Sequence, residues 1–135
     1  MKIESAFFCD DVRQETNGKL IFIGAYSQDI ILQSFPSNLM LHLIICAKIG
    51  SAGPLKMEVE GTLNRQKIMG GELEMQIGKA GFGFLPIPIP TLATAAGKLA
   101  VRIRESGERW KDAAEIEIKQ NIAASPPPQP TSPTV

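Results

Sequence analysis

Apolar and polar residues alternate along two segments near the end of the sequence, 99–104 and 115–119. Successive side chains of a β-strand point to opposite faces, so this alternation predicts two strands that each bury one face. The short polar segment between them contains Gly107 and has the composition of a turn, which predicts an antiparallel hairpin. Asp112 interrupts the alternation, and we predict a β-bulge within 110–116.

The N-terminal quarter of the chain has the same kind of pattern. Residues 3–9 alternate, and we expect the strand to end at Asp10-Asp11. Asn17-Gly18 is a strong signal for a tight hairpin turn, and it leads into a second apolar run at 19–26. That run is apolar on both faces, so we predict a strand that lies inside a sheet.

The middle of the chain predicts several more strands. Residues 39–49 are apolar on both faces, as expected of a strand at the centre of a sheet. Before them, 29–33 fits either a continuation of the preceding strand beyond a kink or a short strand of its own. Residues 55–63 and 72–77 alternate, which predicts two strands with one solvated face each.

Between 78 and 97 the pattern changes to glycines and phenylalanines, followed by Leu85-Pro86-Ile87-Pro88-Ile89-Pro90. Proline cannot donate a backbone hydrogen bond, so we predict an edge strand or an extended crossover that carries the chain from one sheet to the other. With no convincing helical period, seven or eight short strands predict an all-β, antiparallel β-sandwich over residues 1–122. Residues 123–135 are rich in proline, and we expect them to form a disordered tail with polyproline character.

Composition narrows the possible partners. The 135 residues carry 14 Lys plus Arg and 14 Asp plus Glu, so no net charge attracts the protein to nucleic acid or to a membrane surface. The N-terminal residues do not resemble a secretory signal, and no apolar run approaches the roughly 20 residues that a membrane helix needs. Cys9 and Cys46 both lie in apolar runs and fit two buried, reduced thiols of a cytoplasmic protein, with an inter-sheet disulfide as the alternative.

Two features resemble catalytic or nucleotide-binding motifs. Gly78-Lys79-Ala80-Gly81-Phe82-Gly83 looks like a phosphate-binding loop, but a proline-rich segment follows it instead of the helix that such a loop requires. His42 is the single histidine, and its apolar neighbours predict a structural residue of a central strand. We therefore expect no enzyme activity and no cofactor.

Two charged groups are candidates for binding sites. Asp10, Asp11, Glu15 and Asp29 lie near predicted strand ends, where a β-sandwich can supply oxygen ligands for calcium, although a solvated rim is the simpler interpretation. The basic residues of the last hairpin face acidic residues on the neighbouring strand, so cross-strand ion pairs are expected there in place of a nucleic-acid surface. These basic residues are Lys98, Arg102, Arg104, Arg109 and Lys111.

The proline-alternating segment is the candidate partner-binding edge. An exposed strip formed by Leu85, Pro86, Ile87, Pro88, Ile89 and Pro90 would offer apolar contact without pairing its backbone to another strand. A crossover packed on the core, without any binding role, is the competing interpretation. The proline-rich tail is a second candidate, since an aromatic groove could bind it.

Four features of the sequence form a recognisable set: Phe7–Arg13, the Gly-Lys strand within Asn17–Tyr26, the Phe35-Pro36 step and a closing hairpin after Gly97. Together they resemble the motifs of a family of small uncharacterised bacterial proteins. The resemblance covers most of the chain before the tail, whereas the alternating prolines and the tail depart from it. It implies an immunoglobulin-like β-sandwich and implies no activity.

From these observations we predict a non-enzymatic protein-interaction or assembly module of a bacterial cytoplasm. Its partner would be another protein or a second copy of the chain, with no nucleic acid and no membrane involved. A small-ligand or calcium-binding sandwich that uses the acidic loop residues is the alternative.

Overall fold

A computed structural model describes residues 1–121, and this part of the chain is built from nine β-strands and no helix. It therefore contains no helix long and apolar enough to cross a membrane. The strands are β1 (Lys2–Gln14), β2 (Leu20–Ala25), β3 (Asp29–Leu32), β4 (Ser37–Ile49), β5 (Gly53–Leu63), β6 (Gln66–Ile77), β7 (Gly81–Ala93), β8 (Gly97–Glu105) and β9 (Lys111–Gln120). The predicted tail, 123–135, lies outside the described residues.

The strands form two sheets that pack face to face, which confirms the predicted all-β sandwich. One sheet has four strands in the order β2-β1-β4-β7, and the other has five in the order β3-β9-β8-β5-β6. Two details of the prediction are wrong. There are nine strands in the described part instead of seven or eight, and β3 pairs with β9 in parallel, so the sandwich is not wholly antiparallel.

The closing hairpin has the predicted form. β8 and β9 pair antiparallel around the turn at Gly107, and their register shifts between Val101 and Arg102. Val101 faces Ala114 and Arg102 faces Asp112, so Ala113 is the extra residue of a bulge inside the predicted interval.

The main core lies between the two sheets and is filled by alternate residues of the longest strands. On β4 the inward residues Leu41, Leu43 and Ile45 are all almost fully buried. β5 and β8 contribute the facing layer, including Met57 and Ile103. Since β4 lies between β1 and β7, its predicted position inside a sheet is confirmed.

The first strand does not end at Asp10-Asp11 as predicted, because β1 continues to Gln14. Each aspartate has a partner that keeps it in a strand. Asp10 accepts a hydrogen bond from the Tyr26 hydroxyl, and Asp11 accepts from the Val12 N–H and the Arg13 guanidinium. Acidic residues therefore do not mark a strand end here, because local donors satisfy them.

The prediction that 19–26 lies inside a sheet is also wrong. β2 is an edge strand that pairs only with the second half of β1. β2 is apolar on both faces for a different reason, which depends on its contacts with the outer side of the four-stranded sheet.

The proline-alternating segment belongs to β7, which is the other edge of the four-stranded sheet and pairs along its whole length with β4. The predicted edge position is therefore confirmed, and the chain does pass from one sheet to the other on both sides of it. Prolines have no N–H, so the donors from this stretch to β4 belong to Leu85, Ile87 and Ile89. Backbone groups alternate sides along a strand, and the three prolines therefore point their donor-free nitrogens to the open edge.

Candidate functional site

The outer face of the four-stranded sheet, turned away from the core, carries the candidate site. On β4 the residues between the core positions, such as Met40, Ile44 and Cys46, point to this side. The residues of β7 that pair with outward positions of β4 point to the same side. They are Phe82, Phe84, Pro86, Pro88, Pro90 and Leu92. We call the outward residues within 38–46 of β4 and 82–92 of β7, together with the exposed side of β2, the apolar face. Lys48, the next outward residue of β4, forms an ion pair with Glu4 at the margin of this face.

A hairpin arm, residues 9–25, covers one half of this face. Phe22 of β2 packs edge-on against Phe7 of β1 with ring centroids 5.3 Å apart, and against Phe84 of β7 at 5.2 Å. In a flat four-stranded sheet the two edge strands would be about 14 Å apart, so the arm must lean over the outer side of β4. Ile44 and Cys46 are buried beneath it although they face away from the main core.

The arm explains why β2 is apolar on both faces. Phe22 points down to the sheet, and its neighbours Ile21 and Ile23 therefore point away from it and stay exposed. Their exposed fractions are 43% and 44%. One face of β2 closes a small second core, and the other face adds apolar surface to the protein.

Large apolar side chains that remain exposed are concentrated on this side of the molecule. Among residues 1–121 there are seven, and six of them belong to β2, β4 and β7. The most exposed are Met40 and Phe82, at 60% each, and the exception is Ile31 of β3 in the other sheet, also at 60%. A single exposed isoleucine is normal for a protein surface, whereas several large exposed apolar side chains on one side of a molecule are unusual.

A groove extends the apolar face past the end of the arm. It has a volume of about 560 Å³ and lies where the edge strands β6 and β7 approach each other. Met40, Pro90 and Leu92 line one side, and Ile68 and Met69 line the other. Two methionines make the lining adaptable, because the unbranched thioether side chain fits irregular apolar shapes.

The outer face of the five-stranded sheet is different in character. Arg102 and Arg104 of β8 form ion pairs with Glu60 and Glu58 of β5, and both guanidinium groups lie over the ring of Trp110, at 4.6 and 4.5 Å from its centroid. Lys98 pairs with Glu115 of β9, as the sequence predicted for this hairpin. The arginines instead find their partners on β5, which the sequence could not indicate. Three of the five basic residues are therefore paired with carboxylates within the sheet.

The six predicted edge residues divide between the two sides of β7. Leu85, Ile87 and Ile89 are buried in the main core, so aspartate at Ile87 or Ile89 would unfold the sandwich and would not test binding. Only Pro86, Pro88 and Pro90 face outward, next to Phe82 and Leu92.

Sequence reasoning missed the exposed residues Ile21, Ile23, Met40, Phe82, Phe84 and Leu92. The sequence of β7 could have indicated three of them. Phe82, Phe84 and Leu92 are separated from the prolines by even numbers of residues and therefore lie on the same side of the strand.

Three of the four acidic residues proposed for calcium have separate partners, and the fourth, Glu15, lies in the turn between β1 and β2. Asp10 bonds to Tyr26, Asp11 pairs with Arg13, and Asp29 pairs with Lys119. The described residues contain no group of three or more His, Cys, Asp or Glu that could hold a metal ion. The Arg13 guanidinium lowers the pKa of Asp11, which keeps its carboxylate ionised and bound to that partner.

The remaining candidate groups have structural settings. His42 lies on the outer side of β4, with Nδ1 3.3 Å from the carbonyl oxygen of Asp10. Burial raises the pKa of the Cys9 thiol, so this cysteine is a poor nucleophile. The glycine-rich run 78–83 leads into β7 and not into a helix, so it lacks the helix N-terminus of a phosphate-binding loop.

The alternative of an inter-sheet disulfide is excluded by position. Cys9 and Cys46 are both free and lie in the same sheet, on β1 and β4. Cys9 faces His42, four residues along β4 from Cys46, which corresponds to about 13 Å between their backbones. A disulfide requires Cα atoms within about 7 Å.

Comparison with protein-family models and with curated proteins finds no match to this chain.

Proposed function

We propose that this protein is a non-enzymatic protein-binding module whose contact surface is the apolar face. The observation that carries the proposal is the concentration of six exposed large apolar side chains on one side of the molecule. Burying such surface is the main favourable term in protein association.

The contrast between the two outer faces supports this assignment. The segments 20–25, 37–46 and 82–92 contain no Asp, Glu, Lys or Arg. The outer face of the five-stranded sheet, in contrast, carries several ion pairs and is polar, as expected of a solvent-exposed surface. Interface cores are depleted in charge and enriched in aromatic residues and methionine, which matches Phe82, Phe84 and Met40.

The connectivity supports an immunoglobulin-like sandwich, which is the fold that the family resemblance implies. β4 and β7 pair in one sheet while β5 and β8 pair in the other, so successive connections cross between sheets as in a Greek key. Sandwiches of this architecture serve many binding roles, so the fold fits the proposed function without specifying a partner. A bacterial cytoplasm is the proposed location, supported by the resemblance and by two free buried thiols.

The test compares complexes recovered with matched surface variants. Phe82→Asp and Leu92→Asp each place a charge on the apolar face at an exposed position, so the fold should survive. Ile31→Asp makes the same change at an equally exposed isoleucine of the other sheet. Each tagged variant is crosslinked in extract of its native cell and purified, and the recovered partners are quantified by mass spectrometry.

The proposal expects the wild-type chain and the Ile31 variant to recover the same stoichiometric partner, and both face variants to lose it. Circular dichroism confirms that all four proteins are folded. Undiminished recovery with both face variants would show that binding, if any, uses another surface.

A further inference from the structure

The apolar face has a raised half and a low half. The arm rises above Ile44 and Cys46 and carries Ile21 and Ile23 on its outer side. Beyond the end of the arm the sheet is uncovered, and Met40 and Leu92 border the open groove. A projection and a recess of the same apolar character therefore lie side by side on one surface.

We infer that a second copy of the chain covers this face. In the resulting dimer the arm of each copy packs Ile21 and Ile23 into the groove at Met40, Leu92 and Met69 of the other. The inference rests on the proposed function, because it names the partner of the same surface.

Two-fold symmetry makes this pairing self-consistent. In a two-fold interface, if residue i of one copy contacts residue j of the other, then j also contacts i. A two-fold axis that lies in the plane of contact, along the boundary between the two halves, would place each raised half over the partner's low half. Both projections and both recesses are then used, and no partner surface has to be supplied from elsewhere.

The size of the face approaches that of a small interface. β4 and β7 have 13 residues each, which gives a length of about 43 Å. The two strands side by side give a flat area of roughly 400 Å², and the arm, which lies over one half of them, adds its own outer side. Stable interfaces bury about 600–1,000 Å² on each partner, and the relief of the arm adds to the flat estimate.

Charge and hydrogen bonding favour a second copy meeting face to face. Two identical charged surfaces would repel each other, but 20–25, 37–46 and 82–92 carry no Asp, Glu, Lys or Arg. Association through the edge of β7 is disfavoured, since Pro86, Pro88 and Pro90 provide no N–H to a new strand. The approach that remains at this side of the molecule is through the face.

The experiment uses complementary charges on the full-length chain. Ile23→Lys changes the projection, and Met40→Glu changes the recess. Each variant alone places a buried charge at both contacts of its homodimer, and we expect its dissociation constant to rise at least tenfold. A mixture of the two variants can form a heterodimer with one lysine–glutamate contact and one unchanged Ile23–Met40 contact, so dimerisation returns. Sedimentation measures mass, and native mass spectrometry identifies the heterodimer.

The control replaces the projection variant with Ile31→Lys, which is equally exposed but lies on the other sheet. It should dimerise like the wild type when alone, and it should not restore charge complementarity to Met40→Glu. Three results would overturn the inference: a wild-type chain that stays monomeric at its highest soluble concentration, a dimer unaffected by either face variant, or two disrupted variants that do not recover on mixing. A monomeric wild type whose face variants still lose a different protein in the recovery experiment would leave the proposed function intact.

Discussion

Phe22 and Phe84 hold their rings 5.2 Å apart although their strands form opposite edges of one sheet. This contact fixes the arm to the outer side of β4. It also creates the second core, in which Ile44 and Cys46 are buried without touching the layer between the sheets. The shape of the apolar face therefore depends on one aromatic contact across the width of the sheet.

Removing the contact between Phe22 and Phe84 should loosen the arm while the sandwich stays folded. Phe22→Ala deletes the contacts with Phe7 and Phe84, and we expect it to lower the free energy of unfolding by about 1–3 kcal/mol. The thiol of Cys46 should then react faster with a thiol reagent than in the wild type. Ile31→Ala, which removes an exposed apolar side chain elsewhere, should change neither quantity. An unchanged labelling rate in Phe22→Ala would mean that the arm does not protect Cys46.

The sequence predicted the strands whose pattern of apolar residues matches the burial of their faces in the structure. The β8–β9 hairpin and its bulge could be predicted because alternation is interrupted at Asp112 and resumes after it. β4 could be placed inside a sheet because it is apolar on both faces and has neighbours on both sides. β2 has the same pattern for another reason, since one of its faces covers the sheet and the other is exposed.

The candidate site could be predicted only in part. Proline at every second position indicates an edge strand regardless of what surrounds it. Which side of β7 faces the core depends on the register with β4, and that register decides that Ile87 is buried and Phe82 exposed. Phe22 and Phe84 are more than sixty positions apart in the sequence, so no local pattern predicts the contact between their rings.

Substitutions at Asn64 and Gly97 should have coupled effects on the free energy of unfolding, because the Asn64 side chain lies against the Gly97 backbone. The Asn64 side chain accepts a hydrogen bond from the Lys98 N–H at 3.1 Å and donates one to the Ala96 carbonyl at 3.0 Å. A Cβ on Gly97 would lie only 1.8 Å from Asn64 Oδ1, and the φ of +151° also disfavours a side chain. We expect Gly97→Ala to cost about 2–4 kcal/mol in unfolding free energy.

A double-mutant cycle separates the steric cause from the backbone cause. Asn64→Gly removes the obstructing side chain and tolerates the positive φ of 50°. If the clash dominates, Gly97→Ala should cost less in this background, by about 0.5–3 kcal/mol. Equal costs in both backgrounds would assign the effect to φ alone. Chemical denaturation measures all four free energies.

Tyr26 should titrate at an unusually high pH. Burial and, second, its hydrogen bond to the Asp10 carboxylate raise its pKa to about 12 from a usual value of 10.0. Tyr26 is the only tyrosine in the chain, so the rise in absorbance of tyrosinate reports this group alone. We expect Asp10→Asn to lower the midpoint toward the usual value, but not fully, because burial remains. A wild-type midpoint near 10 would show that the hydroxyl is solvated.

The same shift predicts how stability changes in alkali. Because the pKa of Tyr26 is higher in the folded state, the unfolded chain loses this proton first as the pH rises. Its contribution to stability is therefore complete below about pH 10 and declines as the pH rises toward about 12. Tyr26→Phe should unfold with a shallower dependence on pH across this interval, since it has no proton to lose there. Urea unfolding at a series of pH values measures the difference, and parallel curves for the two proteins would contradict the assignment.

The prolines of β7 should protect the chain from edge-to-edge aggregation. Pro86, Pro88 and Pro90 leave the open edge without N–H donors, whereas the ladder to β4 uses the intervening residues. Replacing all three with threonine would restore those donors and leave the existing ladder in place, so unfolding free energy should change by less than about 1 kcal/mol per substitution. Light scattering on prolonged incubation should rise well above that of the wild type, because an exposed edge with unpaired N–H donors and C=O acceptors can add strands. Pro54→Thr makes the same chemical change on β5 and should not increase scattering. If the triple variant stays as clear as the wild type, the missing donors are not what keeps this edge from pairing, and the approach of β6 along the same side would be the remaining cause.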